Sequence, residues 1–328
     1  MKKTFLLIAL ILLSVLSCKK GTNTHIIIYS YSSMNWMNEK VIPAFQQKYD
    51  VSVDFDTSFN DTGDLISKVI LEKNNPKADL IMGITPSNIQ KLTDNDLLKS
   101  YKSENLKNIK DTNLIFNKDF YVTPFDYGAI AVLYDPKKIE GLENFSDLWK
   151  FEKKLIIQDP RSSSTGLDFL IWTVALYNDG WKDQWTNLKH GILTATSGWS
   201  EAFAKFESGE APMMISYATD PAYSFQNYNQ LKYKVFIPKE GGYVQIESAG
   251  IIKKSKNSEI AGKFIDFMLT EEFQKEIPLN QWMFPVTNVK LPESFKYAEI
   301  PQKIVEVDSS IYKDINRYLS EWEEIFSK

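Results

Sequence analysis

Short apolar runs rich in β-branched residues alternate along this chain with stretches whose apolar positions recur at helical spacing. Residues 25–31 (H-I-I-I-Y-S-Y), 51–55 and 78–83 (A-D-L-I-M-G) have the length and composition of buried strands. Between them lie a helical pattern through Val41, Phe45 and Tyr49, and a helix opened by Asp61-Thr62-Gly63 that carries Leu65, Ile66, Val69 and Ile70. Pro86 predicts a third helix with proline in its first turn. Such alternation implies a mostly parallel sheet with helices on its faces. From Asp119 the pattern changes to two extended runs, 120–124 and 127–134, parted by Phe125-Asp126, which predict a crossing into a second lobe. There the alternation resumes with strands at 154–158, 192–196 and 212–217 and helices at 165–177 and 201–206. The helix at 165–177 is apolar nearly all round and therefore buried. Residues 243–252 are extended and cross back, 258–269 form a helix, and C-terminal helices ending at Trp322 and Phe326 cap the second lobe. The expected fold class is α/β with two lobes: residues 25–124 plus about 246–285 in lobe 1, and 125–245 plus about 286–328 in lobe 2.

In open α/β sheets ligands sit beyond the carboxyl ends of strands, where helices begin. The polar and aromatic oddities of this sequence collect at such ends. Tyr31 and Ser33 follow the first strand, and Asp61-Thr62-Gly63 the second. In the second lobe, residues 159–166, Gly198-Trp199-Ser200 and residues 217–220 follow three more strands. That placement predicts a cleft between the lobes. Trp149, Trp172 and Trp322 fall within helical apolar patterns and read as core. Trp199, Tyr217, Tyr223 and Trp282 stand at turns beside Gly, Ser or Pro, where a large ring either packs locally or stacks on a ligand.

Composition narrows the classes. A net charge of −4 with no basic block argues against nucleic acid. The first seventeen residues combine Lys2, Lys3 and a twelve-residue apolar run, too short to span a bilayer and suited to a secretory signal. They end in V-L-S before Cys18, the only cysteine. This resembles a bacterial lipoprotein signal, in which the cysteine is lipidated; an ordinary signal that happens to hold a cysteine is the alternative. Residues 18–24 then form a leash, and the exported protein is expected to sit in the periplasm or at the cell surface on a lipid anchor. One cysteine leaves the mature chain no disulfide framework, and two distant histidines, His25 and His190, offer no transition-metal cluster.

Enzyme motifs find little support. D-T-G at 61–63 also spells the aspartic-protease signature, but that chemistry needs two carboxylates sharing a proton, and no second copy is present. Asp61 reads instead as a helix cap, alone or with a ligand contact. S-S-S-T-G at 162–166 places hydroxyls and free amides at a helix start, suited to an anion or a hydroxyl. A glycine-rich phosphate loop and G-x-S-x-G are both absent.

Several stretches together resemble the periplasmic thiamine-binding proteins of ABC importers. They are Y-S-Y at 29–31, K-A-D-L-I-M-G at 77–83, P-F-D-Y-G at 124–128 and Q-D-P-R-S-S-S-T-G-L at 158–167. G-W-S-E-A-F at 198–203, S-Y-A-T-D-P-A-Y at 216–223, Q-W-M-F-P-V-T-N-V at 281–289 and L-P-E-S-F at 291–295 continue the series in matching order. The resemblance implies the two-lobed periplasmic-binding-protein fold, a monomer that captures thiamine or a thiamine phosphate as cargo without a cofactor, and a membrane permease as partner. Carried over one at a time, the family's ligand contacts fall on Tyr31, Asp61, Thr62, Ser163, Ser164, Trp199, Tyr217, Ala218, Thr219, Asp220, Tyr223 and Trp282. Two departures stand out: Asp61-Thr62-Gly63 where the family usually has Asp-Gly, and Asp220 where it usually has serine. Thiamine carries a permanently cationic thiazolium, which Trp and Tyr faces hold at about 0.5–2 kcal/mol each. The added Asp220 carboxylate implies a preference for thiamine over its phosphates. A receptor of the same fold for a polyamine or ferric iron is the nearest alternative, although iron receptors use adjacent tyrosines and Ser216-Tyr217-Ala218 has one. A tethered hydrolase is more remote, since no nucleophile–base pair can be placed.

Overall fold

The computed structural model describes residues 24–327. The expected signal segment, Cys18 and the leash up to Asn23 lie outside the described residues. Eleven strands follow in chain order: β1 Thr24–Tyr31, β2 Val51–Phe59, β3 Leu80–Ile84, β4 Leu98–Lys99, β5 Thr123–Tyr134 and β6 Leu155–Gln158. They continue with β7 Ile192–Thr196, β8 Met213–Tyr217, β9 Lys234–Phe236, β10 Tyr243–Ile252 and β11 Phe284–Pro285.

The main ladder runs β2-β1-β3-β10-β5-β8-β6-β7. β2, β1 and β3 pair in parallel, as do β8, β6 and β7, so each lobe has its own parallel patch. The two patches are not separate sheets. β5 and β10 pair antiparallel with each other over seven registered positions and join both patches into one ladder. β5 has 12 residues and β10 has 10, and at about 3.3 Å per residue each is long enough to serve both lobes. β10 pairs with β3 through residues 248–251, and β5 pairs with β8 through residues 130–134.

At the middle of the crossing both strands shift register. Ser248 faces Pro124 while Glu247 faces Asp126, leaving Phe125 as a bulge; against β3, Gly83 is skipped between Ile84 and Met82. Phe125-Asp126 therefore lies inside one continuous strand rather than between two. The bulge keeps pairing on both sides while bending the ladder. Gly83 sits at φ +95°, and a Cβ there would collide with the Tyr31 ring. Pro86 also differs from expectation, lying in a turn before the helix Ile89–Asp94. The Asn88 side chain takes the Thr85 amide at 2.9 Å and holds that turn.

Each lobe buries its own core. Ile26, Ile28 and Met82 pack with Phe45, Phe264 and Phe267 in the first. Val132, Ile157 and Phe169 pack with Trp172, Trp185 and Trp322 in the second. The helix Ser258–Met268 belongs to the first core, and the C-terminal helix Ile315–Ser327 closes the second through Trp322. Trp149 is half-buried against the second core.

Candidate functional site

A cavity of about 280 Å³ opens between the lobes, where strand ends from both patches meet. β1 delivers Tyr31. Its hydroxyl donates to Glu247 of β10, and the bare backbone of Gly83 leaves room for its ring. β2 ends at Phe59 and leads through Asn60 to Asp61, the residue before the helix Thr62–Leu71. β8 ends at Tyr217, whose hydroxyl donates to Gln245 Oε1 at 2.7 Å and lies 2.9 Å from Thr165 Oγ1. β7 leads through Gly198 into the helix Trp199–Glu207, and the segment just before β11 supplies Gln281 and Trp282.

Asp61 joins the lobes. Its Oδ1 accepts from the Thr62 amide at 2.6 Å, the Ser164 amide at 3.0 Å and the Ser164 hydroxyl at 3.2 Å, and its Oδ2 accepts from the Ser163 hydroxyl at 2.8 Å. Thus one carboxylate serves the N-termini of two helices, Thr62–Leu71 and Ser164–Tyr177, from opposite lobes. Burial pushes its pKa up while the bonds from Ser164, Ser163 and Thr62 oppose the rise. Beside it the Gly63 amide donates to the Ser162 carbonyl at 3.1 Å. The rims of the cleft are in contact.

The aromatic wall is built largely by the second lobe. Trp199 stacks on Phe203 with centroids 4.8 Å apart and planes 15° apart. Its indole N–H donates to Ser216 Oγ at 2.9 Å, and the Ser216 hydroxyl is bonded to Asp220. Tyr223 meets Phe203 and Trp282 edge to face, at 5.4 and 5.0 Å. Trp282 holds φ +59°, an uncommon conformation for a bulky residue and a mark of local strain. These rings are half-buried and face the cavity.

Its polar lining is acidic. Asp61, Asp220 and Glu247 line the cavity, and no Lys, Arg or His does among the described residues. Burial raises Asp220 to about 7 against the hydrogen bonds from Ser216 and the Tyr217 amide, and raises Glu247 to about 7 against those from Tyr31, Asp126 and Gln281. Behind the floor, Asp168 is raised to about 6 by burial and accepts from Gln245 Nε2 at 2.7 Å and the Tyr243 hydroxyl at 3.1 Å. Among the described residues no three His, Cys, Asp or Glu side chains are placed to hold a metal ion.

Of the positions singled out in the sequence, Tyr31, Asp61, Ser164, Trp199, Tyr217, Asp220, Tyr223 and Trp282 line the cavity. Four do not. Thr62 is buried and donates to the Gly83 carbonyl at 3.2 Å, and Ser163 is turned to Asp61. Ala218 and Thr219 are wholly buried behind Tyr217. Glu247, Gln281 and Phe203 line the cavity without having been singled out. A charged residue inside an apolar crossing strand was the available signal for Glu247, because buried acids need a partner or a purpose.

The profile of the bacterial extracellular solute-binding proteins matches residues 75–303. A thiamine-binding periplasmic protein of Escherichia coli K12 is 31% identical over 309 residues, covering 92% of this chain and 93% of that protein. One of Brucella suis is 32% identical over 335 residues, covering 97% and 96%. A solved structure of a periplasmic thiamin binding protein superposes with a TM-score of 0.85 at 29% identity, over 93% of this chain and 96% of that one.

Proposed function

The chain belongs to the bacterial extracellular solute-binding protein family, and from that premise we propose that it is a receptor that captures thiamine between its lobes and delivers it to the permease of an ABC importer. One observation supports this above others: flat rings and carboxylates line the same cavity, with no cation among the described lining residues. A thiazolium is flat, permanently positive and apolar on its faces. Trp199, Tyr217 and Trp282 offer π-faces to it, each worth about 0.5–2 kcal/mol. Asp220 and Glu247 offset its charge or accept from the aminopyrimidine. Submicromolar capture needs more than about 8 kcal/mol, so rings and acids from both lobes must act together.

The receptor is not an enzyme and needs no cofactor; thiamine is its cargo. It works outside the cytoplasmic membrane as a monomer, held by a lipid on Cys18 that mass spectrometry of the mature protein would detect. The three cleft acids also suit a polyamine, which makes spermidine the control of most value. Titration with thiamine should quench tryptophan fluorescence at submicromolar concentration, and chromatography should return the ligand intact. Tighter binding of spermidine or ferric ion, or chemical change in the thiamine, would overturn the assignment.

A further inference from the structure

Beneath the cavity two carboxyl groups face each other inside the hinge. Asp126 of β5 and Glu247 of β10 are directly opposed in the antiparallel ladder, immediately before the bulge at Phe125. Opposed positions share one face of the sheet with Cβ atoms about 5 Å apart, a spacing at which two like charges repel. Asp126 is wholly buried, and neither of its oxygens meets a donor from any other group. Glu247 is 2% exposed and reaches the cavity floor. Its other neighbours are the Tyr31 hydroxyl from β1 and Gln281 Nε2, which donates at 3.3 Å from the segment before β11. The farther charge that it senses is Asp61 at the rim; the Tyr217 phenol of β8 is held neutral, because burial raises it well above the usual phenol range. No cation among the described lining residues compensates these acids.

A proton between the two carboxyls satisfies the otherwise stranded Asp126 oxygens and removes one of two opposed charges. Glu247 then receives three donors, which favour its ionised form, against burial and neighbouring acids, which oppose it. So balanced, it responds to a charge placed above it. We propose that Glu247 is the residue that selects a cation, remaining protonated over the empty cleft and ionising when a permanently positive ring is seated on it, so that capture is coupled to proton release. The step balances: over the empty cleft the pair holds two protons, and Asp126 keeps its own and donates it in a hydrogen bond to Glu247. The O–H bond of Glu247 breaks, that second proton leaves to solvent, and the carboxylate so formed pairs with the cation. This rests on thiamine, or another fixed cation, being the cargo.

Calorimetry of thiamine binding to the whole protein at pH 6, in buffers of different ionisation enthalpy, should show release of about one proton per ligand, falling toward zero by about pH 8.5. Affinity should be about tenfold tighter at pH 8 than at pH 6. Infrared difference spectra should show a protonated carboxyl band lost on binding. Glu247→Gln should abolish both the release and the lost band. Tyr31→Phe removes a donor to the ionised form and should move the midpoint of release upward by about one pH unit. Thiamine binding without proton release, or release that persists undiminished in Glu247→Gln, overturns the coupling alone. Failure of thiamine to bind at any pH overturns the functional assignment, and the coupling with it.

Discussion

At Asp220 a single side chain sets the character of the cleft. Its carboxylate accepts from the Tyr217 amide at 3.3 Å and is bonded to Ser216, which in turn holds the Trp199 indole. It therefore orients the aromatic wall and adds charge to it. With burial raising it to about 7, the group is largely ionised by pH 8. A phosphate on the ligand tail would then meet a like charge across a partly hydrated cleft, at a cost of about 1 kcal/mol at a separation of roughly 8 Å and an effective dielectric of about 40. Asp220→Ser is expected to improve binding of thiamine monophosphate relative to thiamine about fivefold at pH 8, measured by paired calorimetric titrations. An unchanged ratio would show that the tail points elsewhere. The rings were legible in the sequence because large aromatics at turns beside Gly, Ser and Pro have few local partners. Glu247 was not, since an acid in an extended run reads equally as the outward position of a half-exposed strand. Only the β5 partner, far away in sequence, shows that both of its sides are covered.

Individual elements were read well where local pattern decides them and poorly where pairing does. The helix Ser164–Tyr177 and the strands β1, β3 and β6 lie within a few residues of their expected bounds, because an apolar run or stripe marks each one. The crossing strand β5 was divided at Phe125-Asp126, since a bulge is specified by the partner strand and leaves little local trace. Gly83 tests how far that crossing positions the site. With φ at +95° and the Tyr31 ring against it, a side chain there is strained twice. Gly83→Ala is expected to lower stability by at least about 2 kcal/mol, or roughly 4 °C in melting temperature for a chain of this size. It should also weaken thiamine binding, because Tyr31 must move. Scanning calorimetry and titration check the two effects separately, and a full-strength site in the variant would sever Tyr31 from the ligand.

For the whole molecule, buried acids tie stability to pH. Asp168 is raised to about 6, and Asp220 and Glu247 to about 7, each chiefly by burial. A carboxyl raised on folding contributes stability that is fully present below its unfolded value and is lost as pH rises through the folded one. The ligand-free protein should therefore melt at progressively lower temperature between about pH 5 and pH 8. Saturating thiamine should offset more of that loss at pH 8 than at pH 5.5, since it favours the ionised form of Glu247. A scanning fluorimetry series with and without ligand measures both, and a flat ligand-free profile would mean that hydration relieves these groups. The two-lobed plan was legible because strand–helix alternation breaks and resumes once. That the lobes share one ladder was not, because it depends on two strands more than a hundred residues apart.

Gly63 donates its amide to Ser162 across the mouth of the cleft, and a Cβ there would overlap the Ser162 carbonyl. The absence of one methyl group is what lets the two jaws meet. Gly63→Ala should leave each half folded yet wedge them ajar, which small-angle scattering would register as a larger radius of gyration. Cargo that now escapes only when the jaws part would leak from an open dish. Dwell time, more than the grip of any ring or acid, would then be the property that this hydrogen-sized gap governs.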